Sequence, residues 1–135
     1  MVHEKYLLKL LSFSAIILFF IAVSGCSTVP TGGRDNWIGY TESGKASFYA
    51  DKFQNRKTAS GELYKHNLKT AAHKNVPFGS SVKVTNRNNG KSVIVKINDR
   101  GPFEAGRIID LSKSAFSSIG NPSSGLISVK IEVIR

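Results

Sequence analysis

Ser81-Val-Lys-Val-Thr-Asn-Arg-Asn-Asn-Gly-Lys-Ser-Val-Ile-Val-Lys-Ile-Asn98 is the stretch that decides the fold. In its first half Val82 and Val84 alternate with polar residues, and in its second half Val93, Val95 and Ile97 do the same. A period of two turns one face of each run to a core and the other to water, the pattern of a half-buried strand. Asn89-Gly90 between the runs is the strongest short hairpin signal a sequence offers. Further along, Ile127, Val129, Ile131 and Val133 alternate with Ser128, Lys130 and Glu132 and predict a final strand. Ala46–Ala50 and Leu68–Ala72 read as shorter strands. One helix is predicted from Lys113 to Ile119, opened by Ser112 as N-cap, closed by Gly120 and stopped by Pro122. Short strands with a single helix predict an all-β fold, a small barrel, because closure removes the open edges that sheets must otherwise protect.

Upstream of Gly44 the pattern is different. Leu10 to Val23 is a run of 14 mostly apolar, uncharged residues behind Lys5 and Lys9. It falls short of the roughly 20 residues that a spanning helix needs. A basic start, a short apolar middle and a small-residue exit make residues 1–25 a secretory signal peptide. Val23-Ser24-Gly25-Cys26 resembles the bacterial lipobox. That resemblance implies a mature chain that starts at a diacylglyceryl-modified Cys26, acylated also on its amino group, and so anchored to a membrane without spanning it. Ser27 after the Cys then favours the outer membrane, with the domain facing the periplasm. Residues 26–43 are rich in Ser, Thr and Gly without periodicity and read as a flexible tether. Residues 44–135 are the folded domain. A chain of 135 residues has room for one domain of this kind.

The composition is that of a folded protein, 41% hydrophobic and 21% charged, with a formal net charge of +10. Removing residues 1–25 takes away Lys5, Lys9 and Glu4 and leaves 17 basic against 8 acidic residues, net +9. Such a surface suits nucleic acid, anionic lipid or an acidic polymer. Export sets nucleic acid aside and favours the cell-wall polymer, whose peptides carry free carboxylates. The one Cys excludes an internal disulfide framework. The three His and that Cys lack metal-ligand spacing, so neither metal nor cofactor is expected.

Eight carboxylates can be weighed singly. Asp35 and Glu42 fall in the tether, and Glu132 sits on the polar side of the last strand. Asp51 and Glu104 lie in loops beside Lys52 and Arg107, where surface pairing suffices to explain them. Glu62, in Thr58-Ala-Ser-Gly-Glu62, is either a turn carboxylate or part of a loop that brings backbone close to a ligand. Asp99 ends a strand ahead of Gly101-Pro102, either in a structural turn paired by Arg100 or in a site. Asp110 precedes the helix and could simply complement its positive end. His73 could be a general base, an orienting donor or a satisfied strand-end histidine. Spacing alone does not choose among these.

Taken together the segments are more specific. Phe48-Tyr49, Thr58-Ala-Ser-Gly-Glu62, Leu68-Lys-Thr-Ala-Ala-His73, Pro77-Phe-Gly-Ser-Ser-Val-Lys-Val-Thr-Asn86, Asn89-Gly-Lys-Ser92, Ile97-Asn-Asp-Arg-Gly-Pro-Phe103 and Arg107-Ile-Ile-Asp-Leu-Ser112 resemble the rare lipoprotein A (RlpA-like) family, in order and with similar spacing over residues 44–134. The resemblance implies a six-stranded double-psi β-barrel and a lytic transglycosylase of peptidoglycan. Such enzymes cut between N-acetylmuramic acid and N-acetylglucosamine, leaving a 1,6-anhydro ring, and peptide-free glycan strands are a substrate form to be tested. Glu62, His73 and Asp99 fall on the family's active-site positions. Asp110 matches more distantly the acid of other double-psi barrel sugar enzymes. Asp99 or Asp110 is then the expected proton donor, with Glu62 stabilising charge or relaying the proton and His73 orienting a carboxylate. Tyr49, Ser60, Arg100 and Phe103 are the expected substrate contacts. One departure stands out: the position after Tyr64, often acidic in the family, is Lys65. The rival expectation is an expansin-like module that binds the wall without cutting it.

Overall fold

The computed structural model describes residues 28–135. The signal-peptide and lipobox readings, Cys26 included, lie outside the described residues. Six strands form: β1 (Thr41–Phe48), β2 (Thr70–Ala72), β3 (Ser81–Asn86), β4 (Ser92–Asp99), β5 (Arg107–Leu111) and β6 (Ile127–Val133), with helix α1 at Lys113–Ile119. They close into a barrel in the order β1-β5-β2-β4-β3-β6. The hairpin β3–β4 is antiparallel, while β1 with β5 and β2 with β4 run parallel. Two parallel pairs interlocked in one closed sheet are the double-psi arrangement.

The alternation quoted above becomes the core. Val82, Val84, Val95, Ile97, Val129, Ile131 and Val133 are all buried, joined by Ile109 and Leu111 of β5. Helix α1 adds Ala115, Phe116 and Ile119 to the same cluster. Its start is capped as expected, with Ser112 Oγ accepting from Ala115 N at 3.3 Å. Among the described residues the core cluster runs from Trp37 to Val133 and fills the interior of the barrel.

One element is added and one boundary corrected. The segment after the turn at Gly106, given no element by the sequence, is a strand, β5. Its adjacent Ile108 and Ile109 broke the alternation because the ladder is irregular there. Arg107 pairs with Lys45 and Ile109 with Ala46, which leaves Ile108 as an extra residue. The tether also ends sooner than residue 43. Arg34–Trp37 form a 3-10 turn, and β1 begins at Thr41. Trp37 is only 3% exposed and meets Tyr40 edge to face at 5.0 Å. Gly39 N donates to Val133 O at 2.8 Å and Val133 N to Tyr40 O at 2.9 Å, stitching the entering chain to the end of β6. Two aromatics carry this segment, and its Ser/Thr/Gly composition hid them.

Trp37 therefore tests where the domain begins. Trp37→Ala is expected to lower unfolding free energy in urea by about 3–5 kcal/mol, the usual cost of emptying a buried aromatic site. A residue in a free tether would change it by no more than about 0.5 kcal/mol.

Candidate active site

The site follows from register. Ser47 pairs with Asp110 across β1–β5, Asp110 with Ala72 across β5–β2, and Ala72 with Asp99 across β2–β4. These four residues form one row along the barrel wall. Two strand spacings separate the aspartates, about 10 Å between backbones. Asp99 joins the row because of a bulge. Ala71 pairs with Ile97 but Ala72 pairs with Asp99, so Asn98 is the extra residue. Without it Asp99 would follow Val93, Val95 and Ile97 onto the core side. Ala71 belongs to the core cluster and Ala72 does not, as the change of face requires.

Asp99 is held by three donors. The amides of Ala59 and Arg100 donate to its Oδ1, each at 2.9 Å, and the Tyr49 phenol donates to its Oδ2 at 2.6 Å. Burial, and then the bond to Asp99, push the Tyr49 hydroxyl well above its ordinary pKa, so it remains a neutral donor. Its ring is fixed by stacking on buried Tyr64, with centroids 4.3 Å apart. The turn after Asp99 needs Gly101, whose φ is +116°.

Asp110 is arranged differently. Ser47 Oγ and Arg107 Nη2, the latter at 2.7 Å, both donate to its Oδ1. Its Oδ2 takes no hydrogen bond from a described residue, and Asp110 lines the cleft. Burial alone would lower the Arg107 guanidinium, but its bonds to Asp110 and Glu104 outweigh that and raise it above its ordinary value. None of the first helical amides bonds Asp110: Lys113 N goes to Tyr64 Oη, Ser114 N to His66 O and Ala115 N to Ser112 Oγ. Asp99, Asp110, Tyr49 and Arg100 line one cleft of about 520 Å³, together with Phe53, Glu104 and Arg107. Ser47, Arg107 and Phe53 were missed by sequence reasoning, because only the fold brings them near the motif residues.

The other expected site residues lie off this cleft. Glu62 is exposed and pairs with Lys96 at 2.9 Å, which first among its contacts holds its carboxyl below the ordinary value. It also meets Asn98 Nδ2 at 3.4 Å, beside the bulge. Ser60 braces the 58–62 turn, its Oγ 3.0 Å from that of Thr58. Phe103 is 80% exposed on the turn beyond Gly101. Lys65 donates to the Asn55 side chain.

His73 is 2% exposed and its ring is fully engaged. Nδ1 accepts from the amides of Asn75 and Val76, each at 3.1 Å, so the proton belongs on Nε2, which donates to Glu42 Oε2 at 2.9 Å. The carboxylate that His73 orients is therefore Glu42, a residue assigned by sequence to the tether. The same loop reaches Asp99 by another route. His73 N donates to Asp99 O, and Arg100 Nη1 bonds the carbonyls of His73 and Val76 at 3.1 and 2.9 Å. Among the described residues no group of three or more His, Cys, Asp or Glu could hold a metal ion.

The chain that carries this cleft matches known proteins over most of the barrel. The family model for lytic transglycolase covers residues 41–131. The chain is 56% identical over 96 residues to the endolytic peptidoglycan transglycosylase RlpA of Vibrio cholerae serotype O1, a match covering 71% of this chain and 36% of that protein. It is 57% identical over 97 residues to the RlpA of Pasteurella multocida, covering 72% and 33%. The chain belongs to the RlpA-like double-psi β-barrel family. It spans about a third of the length of these curated relatives. Among solved structures, a Streptomyces papain inhibitor shares the fold with a TM-score of 0.60 at 23% identity, covering 73% of this chain and 97% of that one. A Clavibacter michiganensis expansin does so at 0.56 and 23%, covering 70% and 50%.

The Glu42–His73 bond has a pH signature. The His73 hydrogen bond, the largest cause, lowers the folded pKa of Glu42 from 4.5. Its stabilisation is therefore complete above that value and is lost as pH falls through the lower folded pKa. Urea midpoints of wild type and Glu42→Gln, measured from neutral to strongly acidic pH, should differ most near neutrality and converge in acid. A gap that does not change with pH would contradict the assignment.

Proposed function

We propose that this chain cleaves peptidoglycan glycan strands as an endolytic transglycosylase. The bond between N-acetylmuramic acid and N-acetylglucosamine breaks without water, and the muramic C6 hydroxyl closes the 1,6-anhydro ring. The observation that carries the reading is the cleft shared by Asp99, Asp110 and Tyr49 in a chain of this family. Intramolecular attack needs one group to give a proton to the leaving oxygen and to accept one from the hydroxyl, plus stabilisation of the positive charge between those events. Hydrolases of glycosides add a second carboxylate for water or a covalent bond, which this route does not require.

Asp110 fits the proton-transfer role because both of its donors bond Oδ1, Oδ2 takes none from a described residue, and the residue lines the cleft. Its Oδ2 proton goes to the leaving oxygen, and the carboxylate then takes the C6 hydroxyl proton as the ring closes. Asp99, pinned by Tyr49 and two amides, supplies fixed negative charge beside the oxocarbenium-like centre. Glu62 and His73 act from outside the cleft, through Asn98 and through the 73–76 loop. Lipid attachment at Cys26, with the barrel facing peptidoglycan from the outer membrane, completes the proposal.

Purified sacculi digested with wild type, Asp110→Asn and Asp99→Asn, with products read by mass spectrometry, test it. Wild type should release anhydro-muropeptides, and each variant should be slower by about a hundredfold or more. Sacculus binding without soluble product from wild type would make the chain a wall-binding module instead. Undiminished release by both variants would move the chemistry elsewhere.

A further inference from the structure

One wall of the barrel is cationic. In the closed order, β6 and β3 lie opposite β2 and β5, the strands of Ala72 and Asp110, while Asp99 is on β4 beside β3 and Ser47 on β1 beside β6. Inward positions of β3 and β6 are Val82, Val84, Val129, Ile131 and Val133, so Lys83, Thr85, Lys130 and Glu132 face out. Register sets Thr85 beside Lys130, Lys130 beside Ser43, and Lys45 beside Ser128. Arg87 N donates to Ser128 O, which continues the face past the end of β3. Lys83, Thr85, Arg87, Lys130 and Glu132 line a shallow groove of about 310 Å³. None of Lys45, Lys83, Arg87 or Lys130 forms an ion pair with a described residue, although Glu132 is the cross-strand partner of Lys83.

Lysines on a sheet often guard an exposed edge, but a closed barrel has no edge to guard. These charges need another reason. Lys83, Arg87 and Lys130 spread both along and across two adjacent strands, so they form a patch of charge and not a single line. The entering chain lies at the border of this face, since Gly39 and Tyr40 are bonded to Val133 at the end of β6. From Cys26 to the 3-10 turn that begins at Arg34 the chain can reach at most about 28 Å. No described helix is long and apolar enough to cross a membrane, so contact with a bilayer would be peripheral.

We infer that the β6–β3 face, through Lys83, Arg87 and Lys130, docks on the anionic phospholipid headgroups of the membrane that holds the chain, leaving the cleft between Asp110 and Asp99 open to glycan. The inference rests on the proposed envelope location but not on catalysis. Each cation near an anionic surface strengthens binding severalfold, and the effect is screened by salt.

The test uses residues 28–135 without lipid, co-sedimented with vesicles of phosphatidylcholine alone or mixed in equal parts with phosphatidylglycerol. Wild type should bind only the mixed vesicles, and high salt should release it. Lys83→Glu with Arg87→Glu and Lys130→Glu should lower the partition coefficient on the order of a hundredfold or more. A charge-matched control, Lys52→Glu with Lys57→Glu and Lys69→Glu, should retain most of the binding. Thermal melts confirm that both triples fold, and a set with Gln at the three face positions replaces the Glu set if it does not. Binding that ignores phosphatidylglycerol, or that falls equally in the control, overturns the inference. So does a face variant that loses sacculi alone, which would give the face to an acidic wall polymer. Failure here leaves the anhydro-sugar assay intact, so the two proposals fall separately.

Discussion

One extra residue, Asn98, sets the face on which Asp99 appears. Strand β4 is a core strand through Ile97, and its alternation would carry the next odd residue inward. The bulge opposite Ala71–Ala72 reverses that, and Asp99 emerges in line with Asp110. Between them in the row stands Ala72, which is buried. The strand that carries it, β2, is three residues long and fully buried, so its position is dictated by β4 on one side and β5 on the other.

The bulge is kept in place from several directions. Ser60 N bonds Asn98 O at 3.2 Å, and Ala59 N bonds the Asp99 carboxylate at 2.9 Å, so the 58–62 turn grips both residues. Glu62 and Lys96 close that turn from the outside. On the other side, the 73–76 loop is folded around the His73 ring and clasped by Arg100, whose guanidinium lies 3.9 Å over the Phe78 ring. Motif residues outside the cleft thus act in common, positioning the β4 bulge that brings Asp99 into the row. That arrangement joins sequence to function without requiring every motif residue to touch a sugar.

Much of the barrel was legible in the sequence because burial on one face of a strand leaves a period of two. The hairpin at Asn88–Gly90, the final strand and the capped helix all follow from local rules and were found with their limits nearly correct. Strand β5 was not, because a bulge at Ile108 erased its alternation. Trp37 and Glu42 were not, because their partners, β6 and His73, lie far away in sequence and no local pattern announces them. Asp99 and Asp110 stood out as motif residues, but their sharing of a cleft depends on cross-strand register. Ser47 and Arg107 belong to the same category, ordinary residues given a role by the row they join.

The most direct check on this account is where a glycan sits. Residues 28–135, labelled with nitrogen-15 and titrated with a peptide-free oligosaccharide of alternating N-acetylglucosamine and N-acetylmuramic acid, report this residue by residue. The account predicts shifts concentrated at Tyr49, Asp99, Arg100, Arg107 and Asp110. Shifts confined to the Lys83–Lys130 wall, with the Asp99–Asp110 row silent, would contradict it.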